Sequence, residues 1–460
     1  MIALSIGEIA VILGGRILGA DPTVIVTDVV VDSREVSKGS MYVAIPGERV
    51  DGHEFGQAAM SAGAVVVLAE REIQQPCIVV EDSVVALGQL AHHVRQQLTA
   101  CTVIAITASS GKTSTKDLLA VVLEGLGATV APTGSFNTEV GVPLTILRAD
   151  ESTRFLILEM GMRGIGHIEL LCQIASPEIG VLLNVGSAHL GLLGSRAEVA
   201  KAKGELIASL PAHGVAIING DENLVRAQAE RSAAKVVTFG QSEQCDVRAR
   251  AVELDGQARA SFSLVMADAQ ARVNLQVHGA HFVANALAVA AVAREVGMPL
   301  AHIAERLSAA SVKSRWRMEV SVNSSNVTII NDAYNANPES MAAALQTLAD
   351  MGTDRRKWAV LGEMLELGAQ STAEHAKLGQ LAAGAQISRL LCIGQATQIT
   401  QEHARLQSQW QGQSDWVPDV EAAIALLQAQ VQPTDIVLIK ASRGVGLERL
   451  ATALGEREPQ

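Results

Sequence analysis

The stretch that most constrains the fold runs from Thr102 to Leu123. Thr102-Val103-Ile104-Ala105-Ile106 is a short, β-branched apolar run, the pattern of a strand buried in a parallel sheet. Small residues follow, Thr107-Ala108-Ser109-Ser110-Gly111, and then Lys112-Thr113-Ser114 opens a segment whose apolar positions suit one helix face. Strand, small-residue loop, lysine, hydroxyl and helix together make a phosphate cradle. Free N–H groups at the helix start point at the anion, and the helix dipole adds to them. In such a cradle Ala108, Ser109, Ser110, Gly111 and Ser114 surround the phosphates. Lys112 sets a point charge on the β/γ-phosphates, and the Thr113 hydroxyl sits on Mg²⁺. The common form of this loop has glycine five residues before Gly111; this chain has Ile106 there, so its loop is a shorter variant. The alternative is an ordinary strand-to-helix turn with a surface lysine.

A buried parallel sheet needs helices on both faces and a large core. The chain has the means: 460 residues, enough for about three domains, with 48% apolar and 18% charged residues. Aromatics are only 3%, so Ala, Val, Leu and Ile fill the cores. The net charge of −12 argues against a nucleic-acid partner, whose phosphate backbone demands a basic surface. It leaves room for a small anion in a local basic pocket. Five cysteines (Cys77, Cys101, Cys172, Cys245, Cys392) are scattered singly, which reads as buried free thiols in a reducing compartment. No apolar run reaches membrane-spanning length, and the N-terminus lacks a basic segment followed by a long apolar core. The expectation is a soluble cytoplasmic protein.

Residues 1–99 read as a small α/β domain, with a helix over Leu4–Leu13 and strands at Val24–Val31, Gly39–Ile45, Ala64–Leu68 and Cys77–Val80. Asp32 begins the turn after a strand, and Ser33, Arg34 and His53 lie at strand ends and in a glycine loop, where a hydroxyl, a guanidinium and an imidazole suit either a diphosphate or ordinary turn chemistry. Residues 100–311 surround the phosphate loop. Asn137, Thr138 and Glu139 occupy a glycine-bounded polar loop. Glu159 ends the apolar run Phe155–Leu158, and a carboxylate at the C-terminal end of such a strand faces the ligand crevice, so Glu159 is a candidate Mg²⁺ ligand. His189 follows the next strand in the equivalent place and reads equally as ligand or as structural histidine. Lys201 and Lys203, two apart on a helix, lie on different faces, so at most one points into the crevice. Asn285 sits in an Ala-rich helix, its amide served by an adenine edge or by the core. Residues 312–460 alternate strands and helices in a Rossmann-like order.

These segments resemble the ATP-dependent Mur ligases. The resemblance rests on the phosphate loop, Asp32-Ser33-Arg34, Gly47–His53, Asn137–Pro143 and Ala188-His189. It continues through Asn331–Pro338, Leu361–Gly368 and Lys440–Gly444, so it spans all three domains. It implies a three-domain α/β architecture: a UDP-sugar-peptide domain holding Asp32, Ser33, Arg34 and His53, a central ATP domain, and a third domain closing on the nucleotide. It implies ATP and Mg²⁺, with Thr113, Glu159 and His189 as metal ligands and Asn285, Arg317 and Asp332 as nucleotide contacts; Arg315 is close enough to Arg317 to compete for that role. In relatives a lysine near Lys201 is carbamylated and helps bind a second Mg²⁺; Lys201 fits that place, with Lys203 as the fallback. The Asp-Ala-Tyr-Asn-Ala-Asn-Pro and Gly-Glu-Met-Leu-Glu-Leu-Gly runs point to the member that joins D-Ala-D-Ala to UDP-N-acetylmuramoyl-tripeptide; a monomer is the expectation for its oligomeric state. Asn137, Thr138 and Glu139 would meet the peptide substrate. A sister ligase adding another amino acid and a non-catalytic nucleotide sensor are the alternatives, the latter supported only by Ala108 standing where glycine is usual. Ala441 departs from the family pattern in the same way.

Overall fold

The strand Thr102–Thr107 lies deep inside a nine-stranded sheet of the computed structural model, which describes residues 1–47, 50–187, 190–352, 354–385 and 387–456. Among these residues the sheet runs in the order 269–278, 259–266, 247–254, 235–240, 215–219, 179–182, 102–107, 155–159, 129–130. Strands 179–182 and 155–159 flank the phosphate-loop strand in parallel, each with its residues in register along the shared length. The chain leaves that strand toward one edge and later returns to its other side. This is a topological switch point, where the C-terminal strand ends open a crevice. The outer strands Val247–Leu254, Arg259–Met266 and Ala269–His278 form an antiparallel meander with alternating burial.

The Ala-rich helix Phe282–Glu295 packs on the helix Lys112–Leu123, and both bury their apolar faces against this sheet. Small side chains let the two helices approach closely, which is why alanine rather than aromatic bulk fills this layer.

The N-terminal unit has a five-stranded sheet ordered 16–18, 77–79, 66–69, 40–43, 28–30. Two sequence expectations change here. The helix over Leu4–Leu13 starts at Ile6, because Ser5 caps it: Ser5 Oγ accepts the Glu8 N–H at 3.2 Å, while the Glu8 carboxylate accepts the Ser5 N–H at 2.7 Å. Leu4–Ser5 instead pairs with Ile25–Val26. The run Val24–Val31 is therefore split between two sheets, only Asp28–Val30 joining the larger one. The break falls at Thr27, whose N–H turns to the Gly39 carbonyl at 3.0 Å.

The C-terminal unit has a six-stranded sheet ordered 319–322, 328–331, 436–440, 357–361, 389–393, 413–417, parallel except at Glu319–Val322. Glu319–Val322 and Gln413–Val417 are edge strands with polar residues, so no continuous apolar run announces them in the sequence. All five cysteines are buried free thiols. Among the described residues no helix is long and apolar enough to cross a membrane.

Candidate active site

The loop after Thr107 is held by its neighbours rather than by itself. The Ser109 and Ser110 N–H groups donate to Asn184 Oδ1 at 3.1 and 3.0 Å, and Asn184 Nδ2 donates back to the Ser110 carbonyl at 3.0 Å. Gly111 has φ +82°, and a Cβ there would lie 2.9 Å from Asn285 Oδ1. Glycine is needed at this point both for the backbone and for the space. Ala108 is fully buried and is not among the described residues with positive φ, so a methyl is tolerated there without strain. Ala441 is likewise buried outside the left-handed region. The one sequence feature favouring a non-catalytic protein thus loses its force.

Two lysines converge on one oxygen. Lys112 Nζ donates to the Ala108 carbonyl at 2.8 Å, and Lys203 Nζ donates to the same carbonyl at 3.0 Å. Burial lowers the pKa of both; for Lys203 the fall is large, with Lys112 adding to it, and for Lys112 Arg317 adds while Glu159 opposes. Two lysine amino groups sharing one neutral carbonyl make a site where an anionic ligand would favour their charged forms. Lys201 faces solvent on the same helix, Arg196–Lys203, so the lysine at the loop is Lys203 and the expectation for Lys201 is corrected. The reason is the helical offset: two residues are about 200° of turn, and only one face meets the core.

Glu159 is 1% exposed at its strand end. Its carboxylate accepts the Thr113 hydroxyl at 2.9 Å and Asn137 Nδ2 at 2.9 Å. From the C-terminal unit, Arg317 Nη2 reaches Thr113 Oγ1 and Ser135 Oγ, each at 3.2 Å, while its guanidinium lies 4.0 Å over the Tyr334 ring. Arg315 is exposed, and Arg317 is the one of the two that lines the cavity beside the loop. A buried carboxylate with only neutral donors against it, beside a hydroxyl, is an oxygen donor set suited to Mg²⁺. Among the described residues no three His, Cys, Asp or Glu side chains converge as a cage. Ala188 and His189 lie outside the described residues, as do Glu48 and Arg49 of the glycine loop.

Behind these groups is a cavity of about 520 Å³ between the central and C-terminal units. Ser109 to Ser114, Asn285, Arg317 and Asp332 line it. Asn285 turns its amide toward Gly111, at the phosphate end. Asp332 accepts the Met318 N–H at 3.1 Å and pairs with buried Lys440 at 2.5 Å, so it also fixes the chain that carries Arg317. Burial holds His281 neutral by lowering its pKa to about 4. The Glu222 carboxyl is raised, chiefly by burial. A second cavity of about 860 Å³ opens from Lys112 and Ser109 and is lined by Asn137, Thr138 and Glu139. Glu139 pairs with Arg163 at 3.2 Å on its wall.

The N-terminal set lines neither cavity. Arg34 pairs with Asp32 two residues away at 2.5 Å and is 87% exposed; its hydrogen bonds hold the Asp32 carboxyl down at about 2. Ser33 is half-buried in the same turn. His53 is buried, with Nδ1 2.6 Å from Asp51 and Nε2 accepting the Glu70 N–H at 3.0 Å. Both ring nitrogens are thus occupied by the fold. Asn184, Ser135, Asn337 and Glu339 were given no role by the sequence. Asn184 ends an apolar strand run and Asn337 precedes a proline, so position alone marked two of them.

Comparison with known proteins follows the same three-part division. Family models match at residues 26–102 (Mur ligase family, catalytic domain), 106–293 (Mur ligase middle domain) and 316–443 (Mur ligase, glutamate ligase domain). The chain is 44% identical to the UDP-N-acetylmuramoyl-tripeptide--D-alanyl-D-alanine ligase of Mycobacterium tuberculosis, over 99% of this chain and 98% of that one. It is 35% identical to the Escherichia coli protein of the same name, over 99% of each. Among solved structures it resembles MurF from Acinetobacter baumannii, with a TM-score of 0.89 and 30% identity over 99% of each chain. It also resembles MurF ligase from Thermotoga maritima in complex with ADP, with a TM-score of 0.80 and 29% identity over 93% of this chain and 97% of that one.

Proposed function

The chain belongs to the Mur ligase family, and from that premise we infer that it is the ATP-dependent ligase joining D-alanyl-D-alanine to UDP-N-acetylmuramoyl-tripeptide in peptidoglycan precursor synthesis. The observation that carries the reading is the charge cluster at the loop: Lys112 and Lys203 on the Ala108 carbonyl, Thr113 on Glu159, and Arg317 crossing from the third unit to Thr113. A nucleotide triphosphate fits there and finds a lid already in contact.

The chemistry explains why such a cluster is useful. A carboxylate is a poor acyl donor to an amine, because oxide is a bad leaving group. Attack of the tripeptide carboxylate oxygen on the γ-phosphorus forms the acyl phosphate and releases ADP. The amine of D-Ala-D-Ala then attacks the acyl carbon, phosphate departs, and the amine loses its proton. The barrier in the first step is repulsion between anions. Lys112 and Arg317 lower it by placing positive charge where the phosphoryl group transfers. Bound Mg²⁺, held by the Thr113 hydroxyl and Glu159 with His189 as a further ligand, would neutralise phosphate charge. Asn137 keeps the Glu159 carboxylate oriented. Asn137, Thr138 and Glu139 meet the peptide in the larger cavity.

Lys203 is the residue we assign to carbamylation. Burial lowers its pKa well below the usual lysine value, which favours the neutral amine, the form that attacks CO₂ and loses one proton to give the carbamate anion. The product would place a negative charge beside Lys112. We assign residues 1–99 to the uridine-nucleotide end of the substrate through the Asp32-Ser33-Arg34 turn, with buried His53 holding the neighbouring loop in place, residues 100–311 to ATP, and residues 312–460 to closure on the nucleotide. The enzyme so described is a cytoplasmic monomer.

Phosphate release from ATP tests the reading, with Mg²⁺ and with UDP-N-acetylmuramoyl-tripeptide and D-Ala-D-Ala supplied singly and together. Release only with both, accompanied by the pentapeptide product, is expected. ATP binding with no release under any pairing would overturn it.

A further inference from the structure

The helix Pro338–Asp350 begins with a capping box at Asn337 and places Glu339 in its first turn. A carboxylate in that turn is favoured by the helix dipole and needs no partner outside the helix. Glu339 nevertheless leaves its own unit. Its Oε1 accepts the Ser187 N–H at 2.7 Å and its Oε2 accepts the Ser187 hydroxyl at 3.0 Å, from a residue 152 positions away. The approach depends on Gly186: a Cβ there would lie 2.6 Å from Glu339 Cδ. The Gly186 N–H donates in turn to Ser109 Oγ at 2.8 Å, and Asn337 Nδ2 donates to the Ser109 carbonyl at 3.2 Å. One helix end thus holds Ser109 of the phosphate loop twice, once directly and once through Gly186-Ser187.

We propose that Glu339 is a positioning residue, a latch through which the C-terminal unit, on closing, fixes the Gly186-Ser187 strap and with it the phosphate loop. Both of its bonds join different units and are made only when those units meet. A carboxylate accepting two donors in parallel fixes orientation as well as distance, which a single bond would not. Glycine at position 186 is part of the device, because any side chain there would hold the latch open. The latch therefore acts on turnover and closure and leaves the N-terminal end of the substrate untouched.

The full chain tests this in two ways. Closure is read as energy transfer between dyes on the central and C-terminal units as a non-hydrolysable ATP analogue is added; turnover is read as phosphate release. Glu339→Ala and Ser187→Ala are expected to weaken closure and to lower kcat by about tenfold to a hundredfold, with KM for the uridine nucleotide unchanged. Gly186→Ala is expected to do the same in the native background, but to cost nothing further in the Glu339→Ala background, where the space is free. Thermal midpoints of all variants check folding; should Gly186→Ala not fold, the Glu339 and Ser187 single variants and their double decide, a double no worse than the poorer single supporting the latch. A Gly186→Ala cost equal in both backgrounds, or Glu339→Ala closing and turning over like the parent, would overturn the proposal. The latch goes beyond the ligase reading and is judged separately. If the parent closes but never turns over, that reading fails, and closure alone settles the latch.

Discussion

The N-terminal turn set and the phosphate-loop set are both rich in charged and polar residues at strand ends, yet they satisfy those residues in opposite ways. Arg34 turns to Asp32 two residues away, and His53 uses Asp51 and the Glu70 N–H. At the phosphate loop, Lys203 reaches Ala108 across 95 positions, Thr113 reaches Glu159 across 46, and Arg317 reaches Thr113 across 204. A polar pair satisfied within its own turn, as Arg34 is by Asp32, stabilises that turn. One assembled from distant segments has its geometry set by the whole fold, and that geometry is what a transferring phosphoryl group needs.

The sharpest break of this comparison is at Lys112. Lys112→Ala should lower kcat by about 10³-fold or more with the fold intact by circular dichroism, because the point charge at the transferring phosphate is lost. Next is the lysine pair: Lys203→Ala should cost about 10²-fold in phosphate release, and Lys201→Ala no more than about twofold. Carbon-13 bicarbonate should label the parent in NMR and fail to label the Lys203 variant. Equal effects at the two positions would mean that the buried face is not the working one.

Third in size is the arginine pair. Arg317→Ala should raise KM for ATP about tenfold by removing the contact to Thr113 and Ser135, whereas exposed Arg315→Ala should stay within about twofold. Arg34→Ala should be smaller still, a few-fold rise in KM for the uridine nucleotide alone, with the urea unfolding midpoint unchanged, as for other exposed pairs. A kcat loss there approaching that of Lys112 would abolish the distinction between the two sets.

The smallest effect is in pH dependence. His281 titrates at about 4 in the fold against 6.5 when unperturbed. The unfolded chain therefore takes up a proton below pH 6.5 that the folded chain refuses, and stability falls as pH drops from 6.5 toward 4. His281→Asn should flatten that slope in urea titrations, leaving the curve above pH 7 unchanged.

Much of this was legible in the chain. The apolar run Thr102–Ile106 followed by Gly111-Lys112-Thr113 dictated a buried strand, a cradle and a helix, because the strand pattern and the helix start are local. Glu159 was legible for the same reason, as an acid closing an apolar strand. The glycine requirement at Gly111 is local in its φ and tertiary in its contact with Asn285. Tertiary structure alone decided which of Lys201 and Lys203 is buried, since both fit the helix. It turned Arg317, and not Arg315, to the loop and divided Val24–Val31 between two sheets. It also brought Glu339 to Ser187, a contact no spacing announces. These choices depend on which faces meet after packing, and packing is a property of the assembled units, whereas periodicity and capping belong to a few consecutive residues.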